Sequence, residues 1–236
     1  MSKKTLPSVK HKISEGSSAI TYRTKDGRVL KRYYDNEMYK KILAIHDGDF
    51  LDYLKELDKL DNPLFVDLDE IFLGVNNLVG ALTYEYQPGT TINGLYPKHN
   101  LIKLRDALVK CDEYLRKLDD LKLRDIHYRN IIYTGDIKII DTDFCTFDSN
   151  NQVLHNVGHV NNSIIRGLFD FEIDTKIKID PRLKSVYEAS LAGETGAYEF
   201  LDEYMNLVKD KNGKCVYYKH LTKDFIGEKR GLFGRR

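Results

Sequence analysis

Asp125, Asn130 and Asp141 are the residues of this 236-residue chain whose types and spacing could do chemistry together. Two β-branched runs, Ile131-Ile132-Tyr133 and Ile137-Lys138-Ile139-Ile140, flank Thr134-Gly135-Asp136, so the centre of residues 123–147 reads as a β-hairpin. A hairpin brings its two ends together. Asp125 and Asn130 stand just before its first strand and Asp141 just after its second, so the three side chains should converge at one mouth. Two carboxylates and an amide oxygen are hard oxygen ligands, of the kind that hold Mg²⁺ together with the phosphates of a substrate.

The pattern Arg124-Asp125-x-x-x-x-Asn130, then a hairpin, then an apolar run ending in Asp141, resembles the catalytic loop and metal-binding segment of the protein-kinase-like superfamily. The resemblance implies that Asp125 is the catalytic base, Asn130 the ligand of a second metal ion and Asp141 the principal Mg²⁺ ligand bridging the phosphates of ATP. Leu123 stands where protein kinases carry His, and Asp141-Thr142-Asp143 replaces Asp-Phe-Gly. The run Asp125-Ile126-His127-Tyr128-Arg129-Asn130 is similar instead to the Asp-x-His-x-x-Asn loop of aminoglycoside kinases, choline kinases and several atypical bacterial kinases. In that likeness His127 braces the loop. Asp143 is either a cap of the following turn or a further carboxylate beside the metals.

Positioning such a site requires two kinds of element, and the chain supplies them in order. Residues 8–34 read as three strands, with Glu15-Gly16-Ser17-Ser18 between the first two and a two-residue Asp26-Gly27 turn between the second and third. Gly16 and Ser17 resemble a reduced phosphate-covering glycine loop, and Lys31 on the third strand resembles the lysine that pairs with the phosphates. Read alone, Gly16 is a surface turn and Lys31 an exposed strand lysine. Residues 36–60 give two short helices parted by Asp47-Gly48-Asp49, and Glu56, Asp52 or Glu37 is the acidic partner that the resemblance asks for. Strands at 64–71 and 78–86 follow. Glu85 and Gln87, just before Pro88-Gly89, resemble a hinge that bonds the adenine edge, with Tyr84 behind it.

Residues 100–121 place Leu101, Leu104, Leu108, Cys111, Leu115 and Leu118 on one helical face behind an Asn100 cap, making a core helix that leads into the catalytic stretch. Beyond residue 147 the resemblance thins. Residues 150–166 read as loop, so His155 and His159 are not expected to form a metal site; 170–181 read as extended, and 183–191 and 195–208 as helices. There is no Ala-Pro-Glu run to seat a peptide.

Composition excludes more than it selects. With 37 basic and 36 acidic residues the net charge is +1, which gives no global attraction to nucleic acid or to a membrane surface. Three widely spaced cysteines outline neither a disulfide framework nor a zinc site and suit a reducing cytoplasm. No apolar run approaches the roughly 18 residues of a membrane span.

The expectation is therefore an α+β, two-lobed protein-kinase-like fold: a nucleotide-binding lobe over 1–88 with an antiparallel sheet, a reduced, mostly helical catalytic lobe over 89–226, and a disordered basic tail over 227–236. Its expected activity is Mg²⁺-dependent transfer of the γ-phosphoryl of ATP to a hydroxyl, on Ser or Thr of a protein or on a small molecule. A pseudokinase regulator and an unrelated α+β binding module are the rival readings.

Overall fold

The computed structural model describes residues 5–172 and 175–228. The chain divides into two compact units, Met1–Pro88 and Gly89–Arg236. It is an α+β protein, and no helix among the described residues is long and apolar enough to cross a membrane.

In the first unit β1 (Val9–Glu15), β2 (Ala19–Thr24), β3 (Val29–Tyr33), β4 (Leu68–Leu73) and β5 (Val79–Tyr84) form one antiparallel sheet in the order β1-β2-β3-β5-β4. Leu30, Phe72 and Ala81 pack together on it against Tyr22. The β2–β3 turn has three residues instead of the expected two. Thr24 N donates to Arg28 O at 2.9 Å and Gly27 adopts φ +92°, a three-residue turn that closes on a left-handed glycine and so keeps the twist of the flanking strands. The strand read from residue 64 starts at Leu68. Leu64 and Phe65 are buried in succession, which alternation on one face forbids, and Asn62 Oδ1 takes the Leu64 N–H at 3.0 Å and turns the chain.

Helices α1 (Glu37–Ile45) and α2 (Phe50–Lys59) are separate because Asp47 and Gly48 both take positive φ between them. Asn36 and Asp49 cap them, accepting from Tyr39 N at 3.0 Å and Asp52 N at 3.1 Å. Their inner residues Tyr39, Ile42, Phe50 and Leu54 are buried, and Tyr33 of β3 stacks on Tyr39 at 5.1 Å.

The second unit contains β6 (Thr90–Thr91), α3 (Leu101–Leu115), β7 (Leu121–Lys122), β8 (Ile131–Tyr133), β9 (Ile137–Ile139), β10 (Thr146–Phe147), α4 (Val153–Leu168), β11 (Ile177–Ile179), α5 (Lys184–Ala192), α6 (Ala197–Asn212) and β12 (Ile226–Glu228). Asn100 caps α3, its Oδ1 accepting from Ile102 N and Lys103 N. The helix stops at Leu115, short of residue 121; Leu118 is still buried, from the turn that follows.

Two expectations fail here. Residues 150–166 are not a loop: they contribute most of α4, a sixteen-residue helix whose Val157, Val160, Ile164, Ile165 and Leu168 face the core. Two of the asparagines that argued for a loop, Asn156 and Asn161, are buried and hydrogen-bonded to other segments, so they do not compete with the helix for backbone partners. Gly158 is there because α5 passes so close that a Cβ would lie 2.2 Å from Leu191 O. Likewise, the tail does not begin at 227: Gly227 and Glu228 belong to β12, which pairs with β11. The rest of the expected tail, residues 229–236, lies outside the described residues. Of the extended stretch read at 170–181, Ile177–Ile179 is the only strand among the described residues.

Candidate active site

The site grows from a hairpin built as its alternation predicts. Ile131 pairs with Ile139, Ile132 with Lys138 and Tyr133 with Ile137, and β6 adds a third strand. Gly89 lets that edge close, since a Cβ would lie 2.7 Å from Tyr133 O. At the far end Gly135 takes φ +114°, and Lys110 of α3 bonds Asp136 at 2.8 Å, which pins the tip.

At the near end β7 delivers residues 123–127. Leu123 and Ile126 are buried while Arg124 and Asp125 are exposed. A single 3₁₀ turn, Tyr128–Asn130, follows; His127 accepts from Arg129 N at 3.3 Å and starts it. Asn130 N donates to His127 O at 2.7 Å, Ile140 N to Asn130 O at 2.8 Å, and Asn130 Nδ2 to Asp125 O at 3.5 Å. These bonds bring Asp125, Asn130 and the residue before Asp141 to one mouth. Beyond it, Cys145 N donates to Thr142 O at 2.9 Å, Asp143 is buried, and β10 returns to pair with β7.

Both aspartates sit in left-handed backbone, Asp125 at φ +55° and Asp141 at φ +65°. Asp and Asn enter this region more readily than other L-residues, and Asp47, Asp61, Asn76, Asn77 and Asp170 do so as well, so the conformation turns the chain sharply at both aspartates without marking them as strained. Burial raises the pKa of Asp125 above the ordinary carboxylate value, the negative charge of Asp141 raises it further, and His127 opposes both. Burial and the nearby Arg129 guanidinium hold the imidazole of His127 below its usual range.

The loop is clamped from behind by a face of α4 that sequence reasoning passed over. Asn156, fully buried, donates to Leu118 O at 3.0 Å and Leu121 O at 2.6 Å and accepts from Leu123 N at 2.9 Å. His155 Nε2 lies 3.1 Å from Leu123 O, His159 Nε2 accepts from Ile126 N at 3.2 Å, and Ser163 Oγ donates to Ile126 O at 2.5 Å. The signal was available: residues 155, 159 and 163 recur every four positions, beside an apolar stripe at 157, 160, 164 and 168.

The donor set suits Mg²⁺ only in part. Among the described residues no group of three or more His, Cys, Asp and Glu side chains is placed to hold a metal ion. Asp141 offers an exposed carboxylate, and Asn130, whose Nδ2 faces Asp125 O, keeps its amide oxygen on the other arm. That is the small protein contribution expected of a Mg²⁺ site whose remaining ligands are phosphate oxygens and waters. Cys111, Cys145 and Cys215 are buried thiols that form no disulfide.

The first unit holds the other expected residues. Lys31 is 9 % exposed on central strand β3, its ammonium 5.3 Å from the centre of the Tyr33 ring. Gly16 N donates to Ala19 O at 2.9 Å, and Ser17 O accepts from Asn36 Nδ2 at 2.8 Å, which ties the loop to the α1 cap. A Cβ at Gly16 would meet only an ordinary contact, so packing within the loop does not demand glycine. Glu85 accepts from Gln87 Nε2 at 3.4 Å, and Arg23 lies over the Tyr86 ring at 3.5 Å. Glu37 bonds Lys40 and Asp52 bonds Lys55, each at 2.7 Å on its own helix, while Glu56 is exposed.

The chain matches no protein-family model, and a search of curated proteins likewise returns no match.

Proposed function

We propose that the protein is a Mg²⁺-dependent phosphotransferase of protein-kinase-like, two-lobed fold that moves the γ-phosphoryl of ATP to a hydroxyl, with Ser or Thr of a protein as acceptor. The observation that carries this reading is the mouth of the β8–β9 hairpin, where Asp125, Asn130 and Asp141 gather, both aspartates in left-handed backbone and the pKa of the Asp125 carboxyl raised by burial and by the charge of Asp141.

In this reading Asp125 aligns the acceptor hydroxyl and takes its proton. Loss of hydration at its carboxylate and the charge of Asp141 make Asp125 a better proton acceptor than a fully solvated carboxylate. Asn130 and Asp141 would hold Mg²⁺, which when bound neutralises phosphate charge. Lys31 contributes a fixed positive charge to the phosphates, the Gly16–Ser17 turn covers them, and backbone groups at Glu85 and Gln87 meet the adenine edge. Little covalent work falls to the protein, so positioning carries the rate.

One observation favours a small-molecule acceptor as the second reading. Between Asp141 and α4 the chain folds straight back through β10 onto β7, leaving no long segment there to seat a peptide.

The test is a thermal shift with ATP, with and without Mg²⁺, on wild type, Asp141→Asn and Lys31→Met. At ligand near a hundred times Kd, binding adds about 2.7 kcal/mol to stability, hence a Tm higher by several degrees only when Mg²⁺ is present and in neither variant. A wild-type Tm indifferent to Mg·ATP would refute the proposal. Binding without ATP turnover would leave a nucleotide-dependent regulator.

A further inference from the structure

We infer that His159 is a positioning residue that holds the Asp125 turn only while its imidazole is neutral, so protonation on α4 releases the loop that carries the proposed base. Four hydrogen bonds support the clamp. Residue 123 is held through N–H by Asn156 and through C=O by His155; residue 126 is held through N–H by His159 and through C=O by Ser163. Asp125 lies between these two anchored residues at φ +55°, so the four bonds fix the chain on either side of a sharp left-handed turn.

The protonation states follow from the partners. A backbone amide can only donate, so His159 Nε2 must present a lone pair and its proton must sit on Nδ1. A backbone carbonyl can only accept, so His155 Nε2 carries a proton. A second proton on His159 would set an imidazolium N–H against the Ile126 N–H, breaking the bond and leaving a buried donor without its acceptor. The two rings stack 5.8 Å apart at 9°, so a charge on His155 opposes one on His159.

On the loop side, Arg124 and Asp125 flank the contact and are exposed; on the α5 side Leu191 and Ala192 bring no charge. Both imidazoles border an open cavity of about 360 Å³, through which protons reach them. Burial first, and then His155, lowers the proton affinity of His159. The clamp is therefore intact at neutral pH and opens below the ordinary imidazole range.

The clamp itself is independent of the reaction; its catalytic consequence rests on the phosphotransfer reading. The deciding measurement is hydrogen exchange of the Ile126 amide by NMR on the full chain between about pH 5 and 8, with imidazole tautomers read from the ring nitrogens. We expect Ile126 protection to fall at least about tenfold as His159 titrates. It should stay flat with pH in His159→Gln, whose amide oxygen accepts at every pH, and be low throughout in His159→Leu. Protection that ignores His159 titration in wild type, or a proton on Nε2 at neutral pH, overturns the inference even if His159→Leu does not fold. Mg²⁺-dependent ATP hydrolysis is measured alongside, and its acid limb should move to lower pH in His159→Gln. A chain inactive at every pH with the amide result intact would refute the phosphotransfer reading and leave the clamp standing.

Discussion

Replacing Asn156 with Ala should cost this protein more stability than most single substitutions, because one side chain closes three backbone groups that have no access to water. Asn156 is 0 % exposed and serves Leu118 O, Leu121 O and Leu123 N at 3.0, 2.6 and 2.9 Å. A hydrogen bond contributes about 1 kcal/mol net, and a buried group left without its partner costs about 1–3 kcal/mol. Three bonds set a floor near 3 kcal/mol. A water entering the vacated space would recover part of the orphaning cost, so we expect a loss of about 3–5 kcal/mol against a total of about 5–15. With a urea m-value of about 2 kcal/mol/M, the midpoint should fall by about 2 M. The chain has no tryptophan, so far-UV circular dichroism is the probe, with exchange of the Leu123 amide localising the effect. A loss below about 1 kcal/mol, or one that leaves Leu123 protected, would show that α4 does not hold the loop.

Two further substitutions test neighbouring steps. Gly158→Ala should lower Tm by about 5 °C: alanine gains about 1 kcal/mol of helix propensity, but overpacking against Leu191 O outweighs it by about 2. A higher Tm would mean that α4 and α5 do not meet there. Asp125→Asn should raise Tm at pH 7 and lower turnover by at least about a hundredfold. The sign follows from linkage. The folded state binds the Asp125 proton more tightly than the unfolded chain, so stability is fully present at acid pH and is lost as pH rises from the unfolded value of 3.8 through the raised folded one. Asparagine tolerates the same left-handed backbone and removes the charge. An unchanged or lower Tm at pH 7 would place Asp125 in a fully solvated setting.

How much was legible varies by element, for physical reasons. The β8–β9 hairpin was readable because its signals are local: period-two apolar runs and a turn that only small residues make. So was the cap at Asn100, where one side chain satisfies two adjacent N–H groups. Helix α4 was misread although its apolar stripe at 157, 160, 164 and 168 is present, because its asparagines argued the other way. Asn156 and Asn161 lower helix propensity when solvated, and their buried partners come from residues 29 to 38 positions away. Strand β4 was misplaced at its start because Leu64 and Phe65 look like strand residues but serve the core from a turn.

The sequence by itself determined which groups could do chemistry and that a hairpin would gather them, since residue type and two-residue periodicity are properties of a short stretch of chain. Only the tertiary structure decided that Asp125 and Asp141 would be held in left-handed backbone, and that His155, Asn156, His159 and Ser163 would fasten the loop. Those outcomes depend on where a distant helix finds room to pack.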